Sequence, residues 1–409
     1  MRAYERLLKY VTYPTASDGA SETCPSTPAQ RDFACVLAEE MRQMGIKDAR
    51  VDENGYVYGT IPGNAEHKTP VVGFIAHMDV VRDVPFENVR ARVHEKYDGG
   101  DIVLNEEKGI VMRAGEFPEL ARYVGCDLVV TDGTTLLGAD DKAGIAEILT
   151  MAERLLTCPD IVHGDIKIGF TPDEEIGRGA NLFDIAGFGA DFAYTVDGAA
   201  FGAVEYENFN ASSCSVDFQG KNIHPGASKN KMKNALLMAN EFISLLPAAE
   251  TPAHTEKREG FYHVTAVNGT VEQAHLECIL RDHDAEKLRQ RKETVQRIAQ
   301  FLNARWGEGA VTVTLTDWYR NMAEALSEHM HIVETAQQAV RALGEEPVSE
   351  PIRGGTDGAR LTYMGLICPN LGTGSHNHHG KMEYACVQAM DKCVDLLVKI
   401  AETYGRKER

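Results

Sequence analysis

The sequence predicts an α/β protein with a largely parallel sheet, interrupted by an inserted α+β domain. Strand-like apolar runs at 71–76, 166–170 and 192–196 alternate with stretches of helical spacing. That alternation marks a parallel sheet covered by helices. After about residue 208 the pattern changes to strands with one solvated face, and from about 318 the first pattern resumes. A chain of 409 residues also exceeds what one hydrophobic core usually serves. The expected division is 1–208 and 318–409 as one domain, with 209–317 inserted.

Residues 4–11 and 29–44 carry helical apolar spacing, separated by a loop rich in Ser, Thr and Pro. Residues 51–61 read as strand, turn at Asn54-Gly55, strand. The continuous apolar run 71–76 is expected in a strand buried on both faces, and it ends in His77-Met78-Asp79. Segment 85–131 holds a turn at 97–101 and otherwise reads as a hairpin or an insertion beside the site. Beyond Asp140-Asp141-Lys142, Ile145, Ile148, Leu149, Ala152, Leu155 and Leu156 follow a 3.6-residue period. The run 166–170 stops at Pro172 and delivers Glu174 and Glu175, and 192–196 delivers Asp197.

In the insertion, alternation at 213–218 is followed by helix 233–246, strands 261–267 and 274–281, helix 285–303 and strand 310–315. That β-α-β-β-α-β order matches the ferredoxin-like split unit. A helix at 332–343 follows. A strand at 366–371 then leads into the glycine-rich stretch 372–380, and a closing helix covers 384–404.

Composition narrows the function classes. With 61 acidic against 42 basic residues, a formal charge of -19, the chain is a poor match for nucleic acid or an anionic membrane. No stretch approaches the ~18 apolar residues of a membrane span, and the N-terminal stretch lacks a signal-peptide-like apolar segment. The 9 cysteines are scattered without Cys-x-x-Cys spacing, as expected of reduced thiols in a cytoplasmic protein.

Several segments share one arrangement: an apolar strand, then a His or carboxylate at its C-terminal end. They deliver His77 with Asp79, Asp140, Glu175 with Glu174, and Asp197, while His379 comes from the glycine-rich loop. Ligands gather at the carboxyl ends of strands in open α/β sheets, so these residues are expected to converge. Two imidazoles and three carboxylates, with no thiolate, suit zinc or a similar divalent metal and are too nitrogen-rich for calcium. Five ligands suit a pair of ions sharing one carboxylate, for which Asp140 is the candidate. Glu174, not spent on metal, is placed to take a proton from water and pass it to a leaving amine. Asp79 is placed to accept the second ring N–H of His77. Asp140-Asp141 also fits a helix cap, which is compatible with metal binding by the other aspartate of the pair.

Ala76-His77-Met78-Asp79, Gly138-Ala139-Asp140-Asp141-Lys142-Ala143-Gly144, Pro172-Asp173-Glu174-Glu175 and Val196-Asp197-Gly198 resemble the co-catalytic zinc exopeptidases related to carboxypeptidase G2. Glu205-Tyr206-Glu207-Asn208-Phe209-Asn210, Glu259-Gly260-Phe261-Tyr262-His263, the run from Pro351 to Gly358 and His379-Gly380-Lys381 extend the likeness to nearly the whole chain. They place it nearest the tripeptide-cleaving aminopeptidases of that group. The resemblance implies a zinc-exopeptidase-like catalytic domain with a ferredoxin-like lid. It implies two Zn2+ per subunit, with Co2+ or Mn2+ as substitutes. His77, Asp140 and Asp197 would hold one ion and Asp140, Glu175 and His379 the other. Glu174 would act as general base/acid and Asp79 would orient His77.

It also implies a cis peptide after Asp140, an oxyanion-stabilising role for His224, and a substrate carboxylate bound by Arg281, with Arg353 and Asn370 as further candidates. The substrate would be a short peptide with a free N-terminus, cut after its first residue by metal-held water, in a monomer or homodimer. Where relatives often carry Gly and Tyr, this chain has Ser375 and His376. His376, His378 and His379 are therefore all candidate ligands, with the spacing to Gly380-Lys381 favouring His379. Rival readings are a dipeptidase or N-acyl-amino-acid deacylase of the same group, and a non-catalytic metal-dependent binding module.

Overall fold

All six residues of the strand Val72–His77 are buried; it pairs in parallel on both sides, with Ile166–Thr171 and with Phe192–Gly198, and elements packed on the faces of the sheet cover its side chains. The computed structural model describes residues 1–409. Its seven-stranded sheet continues from Phe192–Gly198 to Asn370–Gly372 in parallel and closes with antiparallel edge strands. The register aligns the strand ends that matter: His77 lies opposite Thr171, and Val196 opposite Leu371. The carboxyl ends of four parallel strands therefore open onto one rim.

The helix Ala139–Thr157 is buried along almost its full length. It packs against the sheet, the N-terminal helix Ala3–Tyr10 and the closing helix Val387–Gly405. Small residues permit the approach to the sheet. A Cβ on Gly144 would lie 1.9 Å from the Val196 carbonyl oxygen.

Segment 85–131 forms more than a hairpin. Ile102–Asn105 and Ile110–Met112 pair as one. Arg92–His94 and Leu128–Val130 join a four-stranded antiparallel sheet with Ser375–His376 and Tyr384–Cys386. Those last two strands bracket the loop that carries His378 and His379. The sheet rests on a core that includes Tyr97, Met112, Leu120, Tyr123 and Tyr384.

The chain divides into two units. The larger comprises Met1–Tyr206, Ala325–Ser349 and Thr356–Arg409, and the smaller comprises Glu207–Glu324 and Glu350–Gly355. The expected boundaries of 208 and 318 therefore shift, and 350–355 belongs to the smaller unit. The reason is local packing: the Arg353 guanidinium lies 5.1 Å from the centre of the Phe209 ring and 5.6 Å from that of Phe261.

The smaller unit is a four-stranded antiparallel sheet in the order Phe261–Gly269, Gln273–Asp282, Asn210–Gln219, Val311–Tyr319. Its helices Ala235–Leu245 and Ala285–Trp306 share one core with the sheet. No helix of the protein is long and apolar enough to cross a membrane.

Candidate metal centre

His77 ends its strand with only 2% of its surface exposed. Its Nδ1 lies 3.1 Å from the Asp79 carbonyl oxygen and 3.5 Å from the Asp79 carboxylate. Both are acceptors, so the proton belongs on Nδ1 and the Nε2 lone pair faces outward. Nε2 lies 2.9 Å from Asp140 Oδ1 and 3.3 Å from Asp197 Oδ1. The other Asp140 oxygen, Oδ2, lies 3.2 Å from His379 Nε2, which is 3.0 Å from Glu175 Oε2. The two Asp140 oxygens thus face two separate sets of donors.

These separations suit metal ligands. Donors ~2.0–2.1 Å from a tetrahedral zinc stand about 3.3 Å apart. Donor atoms of His77, Asp141 and Asp197 lie within 4.8 Å of one another, as do those of His77, Asp140 and Glu175. Charge points the same way. Burial, then the Asp140 charge, pushes Glu175 up to about 8, and its Oε1 is buried without a partner. Burial also raises Asp197 and Glu174. Hydrogen bonds to Asp140 and Glu175 push His379 up to about 11. Burial opposes charge on His77, but Asp197 and Asp140 outweigh it and raise its pKa. A cluster that gathers protons so strongly is suited to replace them with cations.

The neighbouring residues are already engaged. Asp141 accepts the N–H groups of His77 and Gly144 at 3.1 and 3.2 Å, so it ties the helix start to the strand. The peptide between Asp140 and Asp141 is cis. Among the three candidate histidines, His376 is buried, with Nε2 2.6 Å from the Tyr123 hydroxyl. His378 has Nε2 2.8 Å from Ser375 Oγ and Nδ1 3.5 Å from Asp140. Only His379 reaches both Asp140 and Glu175.

Asp79 faces the His77 ring and also holds main chain. Its carboxylate accepts the main-chain N–H groups of Glu174 and Glu175 at 2.9 and 3.1 Å, while its carbonyl serves the His77 ring. It therefore fixes the loop that carries the two glutamates. The Glu174 carboxylate itself accepts no hydrogen bond.

The substrate candidates fare unevenly. Asn370 is buried, accepts from Thr195 Oγ1 at 2.9 Å and donates to Glu205 at 2.7 Å. Its amide is committed within the sheet. Arg353 donates to the Lys257 and Glu259 carbonyls and to Thr255 Oγ1, which locks its segment in place. Arg281 donates through Nη1 to the Ser212 and Leu280 carbonyls, and its guanidinium lies over the Tyr319 ring at 5.5 Å. His224 is exposed, and its Nδ1 accepts the Gly226 N–H at 3.2 Å, which leaves a proton on Nε2.

Residues 131–403 match the model of peptidase family M20/M25/M40. The chain belongs to that family. It is 53% identical over 406 residues to a Peptidase T of Halothermothrix orenii, covering 99% of this chain and 100% of the relative. It is also 53% identical to one of Caldanaerobacter subterraneus, covering 99% of each. Among solved structures it resembles the aminopeptidase PepT of Bacillus cereus, with a TM-score of 0.76 at 22% identity over 98% of this chain and 99% of that one. It likewise resembles a tripeptidase of Staphylococcus aureus, with a TM-score of 0.77 at 23% identity over 99% and 98%. Membership of the M20/M25/M40 family makes the chain a peptide hydrolase of the metallopeptidase class.

Two buried acids near the site were not singled out from the sequence. Asp357, pushed up to about 7 chiefly by burial, accepts from Thr171 Oγ1 at 2.7 Å. A Cβ on Gly179 would lie 2.3 Å from both Asp357 oxygens. Glu383 accepts three main-chain N–H groups from 137–140. The sequence signal for Asp357 was its motif, Gly354-Gly355-Thr356-Asp357, whereas Glu383 had none.

Proposed function

We propose that the protein is a dizinc aminopeptidase that removes the N-terminal residue from tripeptides. His77, Asp140 and Asp197 would hold one ion, and Asp140, Glu175 and His379 the other. Ions held there would supply Lewis acidity, lowering the pKa of a water and polarising the scissile carbonyl. The observation that carries the reading is the uncommitted Glu174 carboxylate beside a donor set split across the two Asp140 oxygens.

Glu174 takes the proton of the attacking water and delivers it to the leaving amine, while the Asp79 clamp holds it in place. Burial raises its pKa, which moves a carboxylate toward the range where a base also serves as an acid near neutrality. His224 offers Nε2–H to the developing oxyanion. Arg281 offers its remaining donors to the substrate's far carboxylate, so a fixed distance selects short peptides. Substrate class is supported by the names of relatives 53% identical over the full chain. The nine unpaired thiols support a cytoplasmic setting.

A panel of di-, tri- and tetrapeptides, with free and acetylated N-termini and with added zinc, cobalt or manganese, tests the reading. Tripeptides with a free amine should be turned over fastest. Preference for acetylated or dipeptide substrates would move the protein to a deacylase or dipeptidase.

A further inference from the structure

Glu383 stands at the end of the loop that carries His379, and it is 2% exposed. Its Oε2 accepts the N–H groups of Leu137 at 2.9 Å and Gly138 at 2.7 Å, and its Oε1 accepts that of Asp140 at 3.0 Å. These partners lie 243 to 246 residues away in sequence, so the contact depends on the tertiary fold. The three amides sit where the helix Ala139–Thr157 starts irregularly, with ψ of 104° at Asp140 and 37° at Asp141. Helical geometry does not fix this stretch, so an external acceptor has to.

The acceptor comes from the loop that carries His379. That loop is itself tightly folded: Asn377 and His379 both adopt positive φ, and Asn377 Nδ2 donates to the Met382 carbonyl at 3.0 Å. Glu383 thus joins the two segments whose side chains, Asp140 and His379, meet 3.2 Å apart. Its bonds are charge-assisted and spread over both oxygens, which fixes direction as well as distance. Asp79 does the same for the loop of Glu174 and Glu175.

We propose that Glu383 is a positioning residue of the metal centre: by gripping the main chain of 137–140, it sets the direction in which Asp140 presents its two oxygens to the two donor sets. The inference rests on the dinuclear reading above. Glu383 touches neither metal ligand atoms nor substrate, and it acts through the backbone of Asp140. Residues that orient metal ligands typically change metal affinity or activity by about 10–100-fold when altered.

The test is metal titration of the full-length, chelator-stripped protein with Co2+, followed by its visible absorption, and with Zn2+ against a chromophoric chelator. Wild type should take up two ions. Glu383→Gln keeps the shape but turns an amide NH2 toward a main-chain donor. It should bind the ions about 10–100-fold more weakly, with an altered cobalt spectrum and a lower kcat at nearly unchanged KM. Wild-type affinity and spectrum in Glu383→Gln would overturn the proposal. So would a variant whose only change is lower stability of the metal-free protein, since that marks a purely structural role. If Glu383→Gln does not fold, Glu383→Asp, which keeps the charge but draws it back, is judged by the same criteria. Fewer than two ions in wild type would remove the dinuclear reading, and this proposal with it, which is a different outcome from a normal wild type beside an unaffected variant.

Discussion

In the larger unit, the donor atoms of His77, Asp140, Glu175, Asp197 and His379 approach one another at 2.9–3.3 Å. In the smaller unit, Arg353 spends its donors on nearby main chain and a threonine, and His224 is exposed and bonded to its own turn. The larger unit gathers its donor atoms at close spacing, with buried carboxylates held by main-chain amides. Of the residues expected to meet the substrate, Arg281 and His224 of the smaller unit retain donors outside these hydrogen bonds. Reactive geometry is thus built into one unit, and the groups proposed to read the substrate are few and belong to the other.

The sharpest way to break that contrast is Glu174→Gln. It should lower kcat by about 10²–10⁴-fold while metal content by atomic spectroscopy stays at the wild-type level. Unchanged turnover would remove the base assignment. Next is Asp79→Asn, which weakens the grip on the Glu174 and Glu175 amides. A loss of about 10–100-fold in kcat or metal affinity is expected, and an unaffected enzyme would show that the clamp is dispensable.

In the smaller unit, Arg281→Ala should raise KM for tripeptides about tenfold or more, as loss of a hydrogen bond to a charged group does, with little change in kcat. Arg353→Ala should instead lower thermal stability and leave KM alone. The reverse pattern would exchange the roles of the two arginines.

A last expected effect is on stability against pH. Burial pushes His376 down to about 4, below the ordinary 6.5. The unfolded chain therefore takes up the proton first. The contribution is fully present above about 6.5 and is lost as pH falls toward about 4. The loss is on the order of 3 kcal/mol at most, at ~1.4 kcal/mol per unit. His376→Gln should flatten denaturant midpoints of the metal-free protein across that window, and an unaltered slope would argue against a neutral buried imidazole.

That His77, Glu175 and Asp197 would meet was legible because long apolar runs mark parallel strands, and the rim of such a sheet is where their last residues gather; Asp140 instead opens the helix Ala139–Thr157. The ferredoxin-like order was legible for a similar reason: Ser213 to Phe218 alternates cleanly. Segment 85–131 was not, because its strands Arg92–His94, Ile110–Met112 and Leu128–Val130 are three residues long, too short to show a period. The Asp79 clamp and Glu383 stayed hidden because their partners are main-chain amides 95 or more residues away, and no side-chain pattern records those. The Arg353 segment was assigned to the larger unit because Pro351-Ile352-Arg353-Gly354-Gly355 carries no periodicity, and its placement rests on two aromatic rings distant in sequence.

The most direct measurement is anomalous X-ray diffraction at the zinc edge from crystals grown with ample zinc. Two peaks are predicted, one among His77, Asp140 and Asp197 and one among Asp140, Glu175 and His379. A single peak, or peaks away from Asp140, would contradict the shared-carboxylate centre on which the account depends.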